Sequence, residues 1–468
     1  MTDTPPFPNT TTNPTPMDEA VQRRLAWLVW RLHVVASPDE RWRGQIVDLA
    51  PGTTTLGRQD ATWNIADPSL SRHHARLQVA EDGVWLVDAG SRNGTFVGGQ
   101  RTQHAQLGDG AVLRLGGTVL VLEVDSGVAR EYALPTANLP GRTEPARLAR
   151  FEVAIAATQG LHVLLHGETG TGKEHAALEI HRLSGRLGPV VRFNVAAVPA
   201  ELFEAELFGH APGTLPGTAT ARLGRVREAQ HGTLVLDEIG ELAPPLQAKL
   251  LRMLEERTVR PLGSTTDVPV DVRFIATTNA DLQRLVDKGK FRRDLLARLR
   301  VNSVHLPPLS ARRGDLLALA DVVCPLVENG RSLLWANVLT PDAVQALLLY
   351  DWPDNLRMVR GCLTRARALA QGERVGVEHL GPEVAAALSR VTQGTPGSAH
   401  EAKRPSASRL RAAVAKFRGN VDTVARDFGV HRRQVYRWLD YAGIDQSELR
   451  AARRESDDVP GGRLPSDG

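Results

Sequence analysis

The chain has 468 residues, 57 Lys and Arg against 53 Asp and Glu for a net charge of +4, and two cysteines. That length outgrows one core and predicts about three domains with linkers, while Cys324 and Cys362 are too few for a disulfide framework and lack metal-ligand spacing, which favours a reducing compartment. No apolar run approaches the roughly 20 residues of a membrane span, and the N-terminus offers Pro, Thr and Asn where a secretion signal is basic and then apolar, so a cytoplasmic protein is expected.

Residues 1–22 are rich in Pro and Thr and too poor in apolar groups to offset ordering entropy, which predicts a disordered tail. Over 23–125, short apolar runs such as Ala75-Arg76-Leu77-Gln78-Val79 and Val84-Trp85-Leu86-Val87 alternate with Gly, Asp and Asn turns, which predicts an all-β sandwich. Trp27, Trp30, Trp42, Trp63 and Trp85 read as full or partial core. Three blocks stand out: Leu56-Gly57-Arg58, Ser71-Arg72-His73-His74-Ala75, and Asp88 followed by Ser91-Arg92-Asn93-Gly94-Thr95-Phe96-Val97. In order and spacing they resemble a forkhead-associated (FHA) domain. The resemblance implies phosphothreonine recognition, with Arg58 and Ser71 on the phosphate, His74 buttressing the loop, Asn93 on the peptide backbone, and Arg72 and Arg92 adding charge. A dianionic phosphate suits guanidinium and hydroxyl donors held on rigid loops. His73 reads as structural. The ligand would be a phosphothreonine-containing protein or the chain's own tail, where Thr15 has Asp18 three residues on.

Residues 126–143, punctuated by Pro and Gly, read as a linker. Over 144–310 strands and helices alternate, which predicts a parallel α/β sheet. The strand His162-Val163-Leu164-Leu165 runs into Gly167-Glu168-Thr169-Gly170-Thr171-Gly172-Lys173-Glu174, a glycine-rich turn. Such a turn converges backbone N–H groups, a helix N-terminus and a lysine on nucleotide phosphates. Glu174 stands where Ser or Thr usually ligates magnesium. About 65 residues on, the buried strand Thr233-Leu234-Val235-Leu236 ends in Asp237 and Glu238, one acid to hold magnesium and one to orient and deprotonate water. A third strand ends in Thr277-Thr278-Asn279, polar groups able to sense a γ-phosphate.

From about 144 to 382 the segments GETGTGKE, FNVAAVPAELFEAELFGH, GTLVLDEIGEL, ATTNADL, GKFRRDLLARL, LPPLSARRGDL and DWPDNLR look like the AAA+ domain of bacterial enhancer-binding proteins, the activators of sigma-54 RNA polymerase. That family commonly has Glu after the loop lysine, as at Glu174. The resemblance implies ATP and Mg2+ as cofactors, Lys173 on the phosphates, Asp237 on the metal and Glu238 activating water. Asn194 would pair with Glu238 to hold it unproductive, and Thr278 with Asn279 would form the first sensor. Arg292 and Arg298 would reach a neighbouring subunit's site as arginine fingers, and Arg357 would be the lid sensor. Sites completed in trans imply a ring, which the family forms as a hexamer.

The family touches sigma-54 through a loop reading GAFTGA. The stretch here is Gly213-Thr214-Leu215-Pro216-Gly217-Thr218. Leu215 loses the tip aromatic, and Pro216 fixes φ and deletes a donor and a hydroxyl. At a binding hot spot such changes commonly cost about 2 kcal/mol or more, roughly thirtyfold in affinity. Two readings stay open: altered contacts with sigma-54, or regulation without it.

Residues 311–388 predict a helical lid and 389–406 a Gly/Ser/Pro linker. Over 407–446 a short helical unit follows, and 447–468 read as a disordered tail. Between Lys403 and Tyr441 ten Lys or Arg face three Asp, the electrostatic footprint of nucleic-acid contact. The segment GNVDTVARDFGVHRRQVYRWLDYAGI has helix-turn-helix spacing and looks like the Fis-type end of the same family. Arg432, Arg433, Gln434 and Arg437 would contact DNA, with Val424, Ala425, Phe428, Val435 and Leu439 as core. The whole predicts a multidomain FHA–AAA+–helix-turn-helix regulator of transcription, an ATPase with DNA and RNA polymerase as partners. The competing expectation is a phosphopeptide-binding, DNA-bound scaffold whose ATP supports assembly alone.

Overall fold

The computed structural model of the chain describes residues 29–80, 83–125, 139–214, 220–328 and 330–390, together with Ala413, Val424 and Val435. Residues up to Ser389 form one unit and those from Arg390 a second. In the second, Ala413, Val424 and Val435 are helical and buried, in keeping with Val424 and Val435 as core. Arg432, Arg433, Gln434 and Arg437 lie outside the described residues, as do both predicted tails and Trp27.

Eleven strands build the N-terminal sandwich. They are β1 (Val29–Ala36), β2 (Ile46–Leu49), β3 (Gly52–Gly57), β4 (Trp63–Asn64), β5 (Ala75–Ala80), β6 (Gly83–Asp88), β7 (Thr95–Val97), β8 (Gln100–Thr102), β9 (His104–Leu107), β10 (Val112–Leu115) and β11 (Thr118–Asp125). One sheet runs β2-β1-β11-β10-β7-β8, the other β4-β3-β5-β6-β9. Period-two alternation sends Leu77, Leu86, Leu113, Leu120 and Leu122 into the core between them. Trp63 is buried there, Trp30 and Trp42 pack partly against it, and Trp85 stacks on His104.

The second domain is a five-stranded parallel sheet of β12 (Val163–His166), β13 (Val190–Asn194), β14 (Thr233–Asp237), β17 (Arg273–Thr278) and β18 (Ser303–His305), ordered β13-β14-β17-β12-β18. A ribbon of β15 (Thr258–Val259) and β16 (Val268–Pro269) lies beside it in sequence. Helices α1 (Glu144–Thr158), α2 (Lys173–Leu183), α3 (Ala200–Phe208), α4 (Arg225–Glu228), α5 (Pro244–Glu256), α6 (Leu282–Asp287) and α7 (Arg293–Arg300) cover it. β12, β14 and β17 are neighbours, so the loops at their carboxyl ends meet.

The lid contains α8 (Leu316–Val323), α9 (Trp335–Val338), α10 (Pro341–Leu349), α11 (Asn355–Leu369) and α12 (Pro382–Arg390). Its largest buried side chains, Trp335 and Trp352, satisfy their indole N–H groups on Cys324 O and Leu347 O, each at 2.8 Å. The expected all-helical lid is interrupted by an antiparallel ribbon, β19 (Leu326–Glu328) with β20 (Arg331–Leu333), after Pro325 removes a helical donor.

The sandwich does not stand apart from the lid. Val35, Ala36, Val112, Val119 and Val121, which face away from its own core, are buried with Leu316, Ala343 and Leu347 of the lid and with Leu309 just before it.

Candidate functional site

The phosphate loop leaves β12 and enters α2. Gly170 has φ +76, and a Cβ there would fall 2.2 Å from Asp354 O of the lid, so left-handed backbone and close approach both require glycine. Lys173 is buried at the start of α2, donating from Nζ to Gly167 O at 2.9 Å and Glu168 O at 3.1 Å. Burial pulls its ammonium below the usual lysine value, against the opposing charges of Glu238 and Asp237.

Asp237 ends β14, its Oδ1 accepting from Thr277 Oγ1 at 3.0 Å. Burial raises its pKa, and Glu174 and Glu238 add to this. Glu174 itself pairs with Arg192 at 2.7 Å. Glu238 takes the left-handed backbone, φ +55, unusual for a glutamate and a means of aiming its side chain at a sharp strand exit. Its carboxylate accepts from Asn279 N at 3.4 Å. Asn279 Nδ2 in turn donates to Thr169 Oγ1 at 3.1 Å, so the third strand grips both the phosphate loop and the acid.

Two expected roles take different form. Asn194 does not hold Glu238: its Oδ1 accepts from Ala196 N at 2.9 Å, capping the following turn, and Asn279 occupies the glutamate instead. Thr278 is fully buried, its hydroxyl accepting from Ala280 N at 3.0 Å, so of the pair expected to form a sensor Asn279 is the one that touches the loop. Arg292 is exposed and paired with Asp294 at 2.7 Å, and Arg298 is exposed on α7. The charge of Arg298 is felt at His162, just before β12 and away from the phosphate-loop end of that strand.

The lid closes on the loop through residues that sequence reasoning left unassigned. Leu356 N donates to Gly170 O at 3.1 Å. Asn355, fully buried with φ +49, donates from Nδ2 to Glu168 Oε2 and Thr169 O, both at 3.0 Å, and its Oδ1 accepts from Leu309 N at 2.6 Å. Arg312, also buried, donates to Thr171 O at 2.8 Å. Next to Asn355 in α11, Arg357 places its charge near Lys173. The signal was present in DWPDNLR and LPPLSARRGDL, of which only Arg357 had been given a role.

At the sandwich, Arg58, Ser71, Arg72, His74, Arg92 and Asn93 gather on three adjoining loops. A Cβ at Gly57 would fall 1.9 Å from Arg72 O, so glycine lets the first two loops touch. Ser71 N donates to His74 Nδ1 at 3.1 Å, which leaves the proton on Nε2 to donate to Gly94 O at 3.3 Å. His74 is fully buried, and burial depresses its pKa, keeping the ring neutral. Ser71 Oγ accepts from Arg92 N at 3.1 Å and Asn93 Nδ2 donates to Ser69 O at 2.7 Å. Arg58, Arg72, Arg92 and His73 are exposed, and among the described residues the three arginines have no ion pair.

Gly213 and Thr214 are described, Thr214 Oγ1 donating to Ala211 O at 2.9 Å, while Leu215, Pro216, Gly217 and Thr218 lie outside the described residues. No helix among the described residues is long and apolar enough to cross a membrane.

Family models match three segments: an FHA domain at residues 54–116, a Sigma-54 interaction domain at 141–305 and an AAA+ ATPase lid domain at 310–396. Transcriptional regulatory protein ZraR of Salmonella typhimurium is 38% identical over 286 residues, 61% of this chain and 64% of that protein. Regulatory protein AtoC of Escherichia coli is 37% identical over 307 residues, 64% and 66% of the two chains. The anaerobic nitric oxide reductase transcription regulator NorR of Salmonella paratyphi C is 41% identical over 269 residues, 57% and 53%. The chain therefore spans slightly under two thirds of the first of these relatives. A crystal structure of NtrX from Brucella abortus in complex with ATP aligns over 68% of this chain and 73% of that one, with 29% identity and a TM-score of 0.45.

Proposed function

Because the chain belongs to the bacterial enhancer-binding proteins, the sigma-54-dependent transcriptional regulators, and carries an FHA domain ahead of its AAA+ module, we propose that it is an ATP-hydrolysing, DNA-bound regulator of transcription governed by phosphothreonine recognition. The observation that carries the reading is the meeting of Lys173, Asp237, Glu238 and Asn279 at the carboxyl ends of three adjacent strands.

Lys173, released from the two loop carbonyls it now satisfies, grips the β- and γ-phosphates. Asp237 suits a divalent cation, since its half-buried carboxylate has the like charges of Glu174 and Glu238 nearby, which a cation would relieve. A magnesium ion held by Asp237 would supply neutralisation of the phosphate charge. Glu238 accepts the proton of the attacking water, Asn279 orients it, and Arg357 comes in from the lid. Arg292 and Arg298, both exposed, serve the adjoining protomer of a ring, for which a hexamer is proposed.

The FHA rim takes a phosphothreonine, from a partner or from the chain's own tail, on Arg58, Ser71 and the cationic Arg72 and Arg92. The C-terminal segment binds DNA through Arg432, Arg433, Gln434 and Arg437. The sequence change at Leu215 and Pro216 favours a weakened or lost sigma-54 contact, and leaves a scaffold that binds ATP without remodelling polymerase as the second reading.

ATP turnover per protomer, measured against protein concentration with Glu238→Ala alongside, tests the proposal. Turnover that rises with assembly and is abolished by the substitution supports it. Tight ATP binding without turnover at any concentration leaves the scaffold.

A further inference from the structure

The sandwich presents two different surfaces to the ATPase. Towards the lid it offers Val35, Val112, Val119 and Val121, buried in one core with Leu316, Ala343 and Leu347. Beside that seam Arg114, held 3.9 Å over the Phe96 ring, donates from Nε to Gln345 Oε1 at 2.9 Å and pairs with Asp342 at 3.2 Å. Towards the α/β subdomain it offers polar groups: Asp125 pairs with Arg147 of α1, and Gly44 O accepts from Arg142 Nη1 at 2.7 Å.

Between the two lies the segment Leu309–Asp315 that joins lid to sheet. There the His33–Glu123 pair, 3.0 Å apart, presses on the backbone so closely that a Cβ at Gly314 would fall 2.8 Å from Glu123 Oε1. Asp315 of the same segment accepts from Arg142 N at 2.6 Å and Thr143 N at 3.2 Å, fixing the entry to α1.

These surfaces respond differently to strain. An apolar seam holds in proportion to the area it hides and opens only by wetting valines. The polar clip has less to lose on opening: Arg142 is exposed, and when Arg147 leaves, the buried Asp125 keeps Arg31 as its partner, so no carboxylate is left unpaired. We propose that the FHA domain moves with the lid as one body and is clipped reversibly to the α/β subdomain through Arg147 and Arg142, so that it braces the nucleotide cleft and slows nucleotide exchange. The lid reaches the phosphate loop through Asn355 and Leu356, so a tilt of that body lifts those bonds from Glu168, Thr169 and Gly170. Release of the clip is then the step at which a phosphopeptide or a neighbouring subunit acts on nucleotide turnover.

The inference rests on the nucleotide site proposed above. The full chain is loaded with the fluorescent N-methylanthraniloyl derivative of ADP, and its dissociation rate is measured by stopped flow for wild type, the double variant Arg142→Gln with Arg147→Gln, and Arg147→Lys. Amide hydrogen exchange of β10 and α10 is followed in parallel. The double variant should release the nucleotide at least fivefold faster with seam protection unchanged, and Arg147→Lys should stay within twofold of wild type. A double-variant rate within twofold of wild type, or slower, overturns the brace. Faster release with protection lost across β10 and α10 overturns the single moving body. If wild type never retains the probe, the nucleotide-site reading itself fails and this inference falls with it.

Discussion

Replacing Asn355 by Asp isolates the lid's hold on the phosphate loop. The substitution keeps the shape, a tolerance for left-handed backbone and the oxygen that accepts from Leu309 N at 2.6 Å. It turns the other terminal atom from a donor into an acceptor facing Glu168 Oε2 and Thr169 O, both at 3.0 Å. Two hydrogen bonds are lost, one of them to a carboxylate, and together these are worth about 2–4 kcal/mol. The new carboxylate then sits beside Glu168, adding repulsion that protonation or a shift of the lid relieves. Taking about 3 kcal/mol as the net loss, the closed lid falls more than a hundredfold in weight. Part of that loss is recovered by other lid contacts such as Leu356 N on Gly170 O, so ATP affinity should weaken by roughly 10- to 100-fold. Titration calorimetry with a slowly hydrolysed ATP analogue measures it, with far-UV circular dichroism as the check on folding. A folded variant whose affinity lies within threefold of wild type refutes the argument that these bonds close the site.

Glu238→Ala should retain ATP yet lose roughly 10³-fold or more in turnover, read by phosphate release beside a binding titration. Arg292→Ala should be similarly impaired, and mixing it with Glu238→Ala should restore measurable turnover because each supplies what the other lacks; no recovery on mixing would contradict completion in trans. Arg58→Ala should weaken a phospho-Thr15 tail peptide by about thirtyfold, near 2 kcal/mol, measured by fluorescence anisotropy, and equal binding of the unphosphorylated peptide would remove phosphate from the account. His162, pushed down to about 4 by burial and by Arg298, Arg257 and Arg273, favours the folded state while neutral. Its contribution is full above the unfolded pKa near 6.5 and is lost progressively as pH falls towards 4. The wild-type melting temperature should therefore drop faster between pH 6.5 and 4 than that of His162→Phe, and parallel curves would exclude the residue as the cause.

The catalytic elements were legible because each is local. A run as apolar as Leu234-Val235-Leu236 cannot be an edge strand, so the acids after it had to sit at a sheet's carboxyl edge. That Thr277 serves Asp237 was not legible: Ala276, Thr277 and Thr278 are all buried, and residue type does not say which hydroxyl turns towards the acid. Asn194 was assigned by resemblance, and a nearer backbone donor took its oxygen. The outer face of the sandwich was partly in view: Val119-Leu120-Val121-Leu122 lacks the alternation of a strand with one wet face. Reading the domain as separate hid what covered it. Asn355 and Arg312 act across long sequence separations, which no local pattern encodes.

The valines on the far side of β1, β10 and β11 also bear on how such a gene can be rearranged. A recombination event that traded this input domain for another would strip the lid of its cover and leave an apolar stripe with nothing to hide it, so a productive chimera must bring a matching greasy patch. By the same logic, a fragment cut at residues 23–125 should be sticky and poorly soluble until Val112, Val119 and Val121 are made polar.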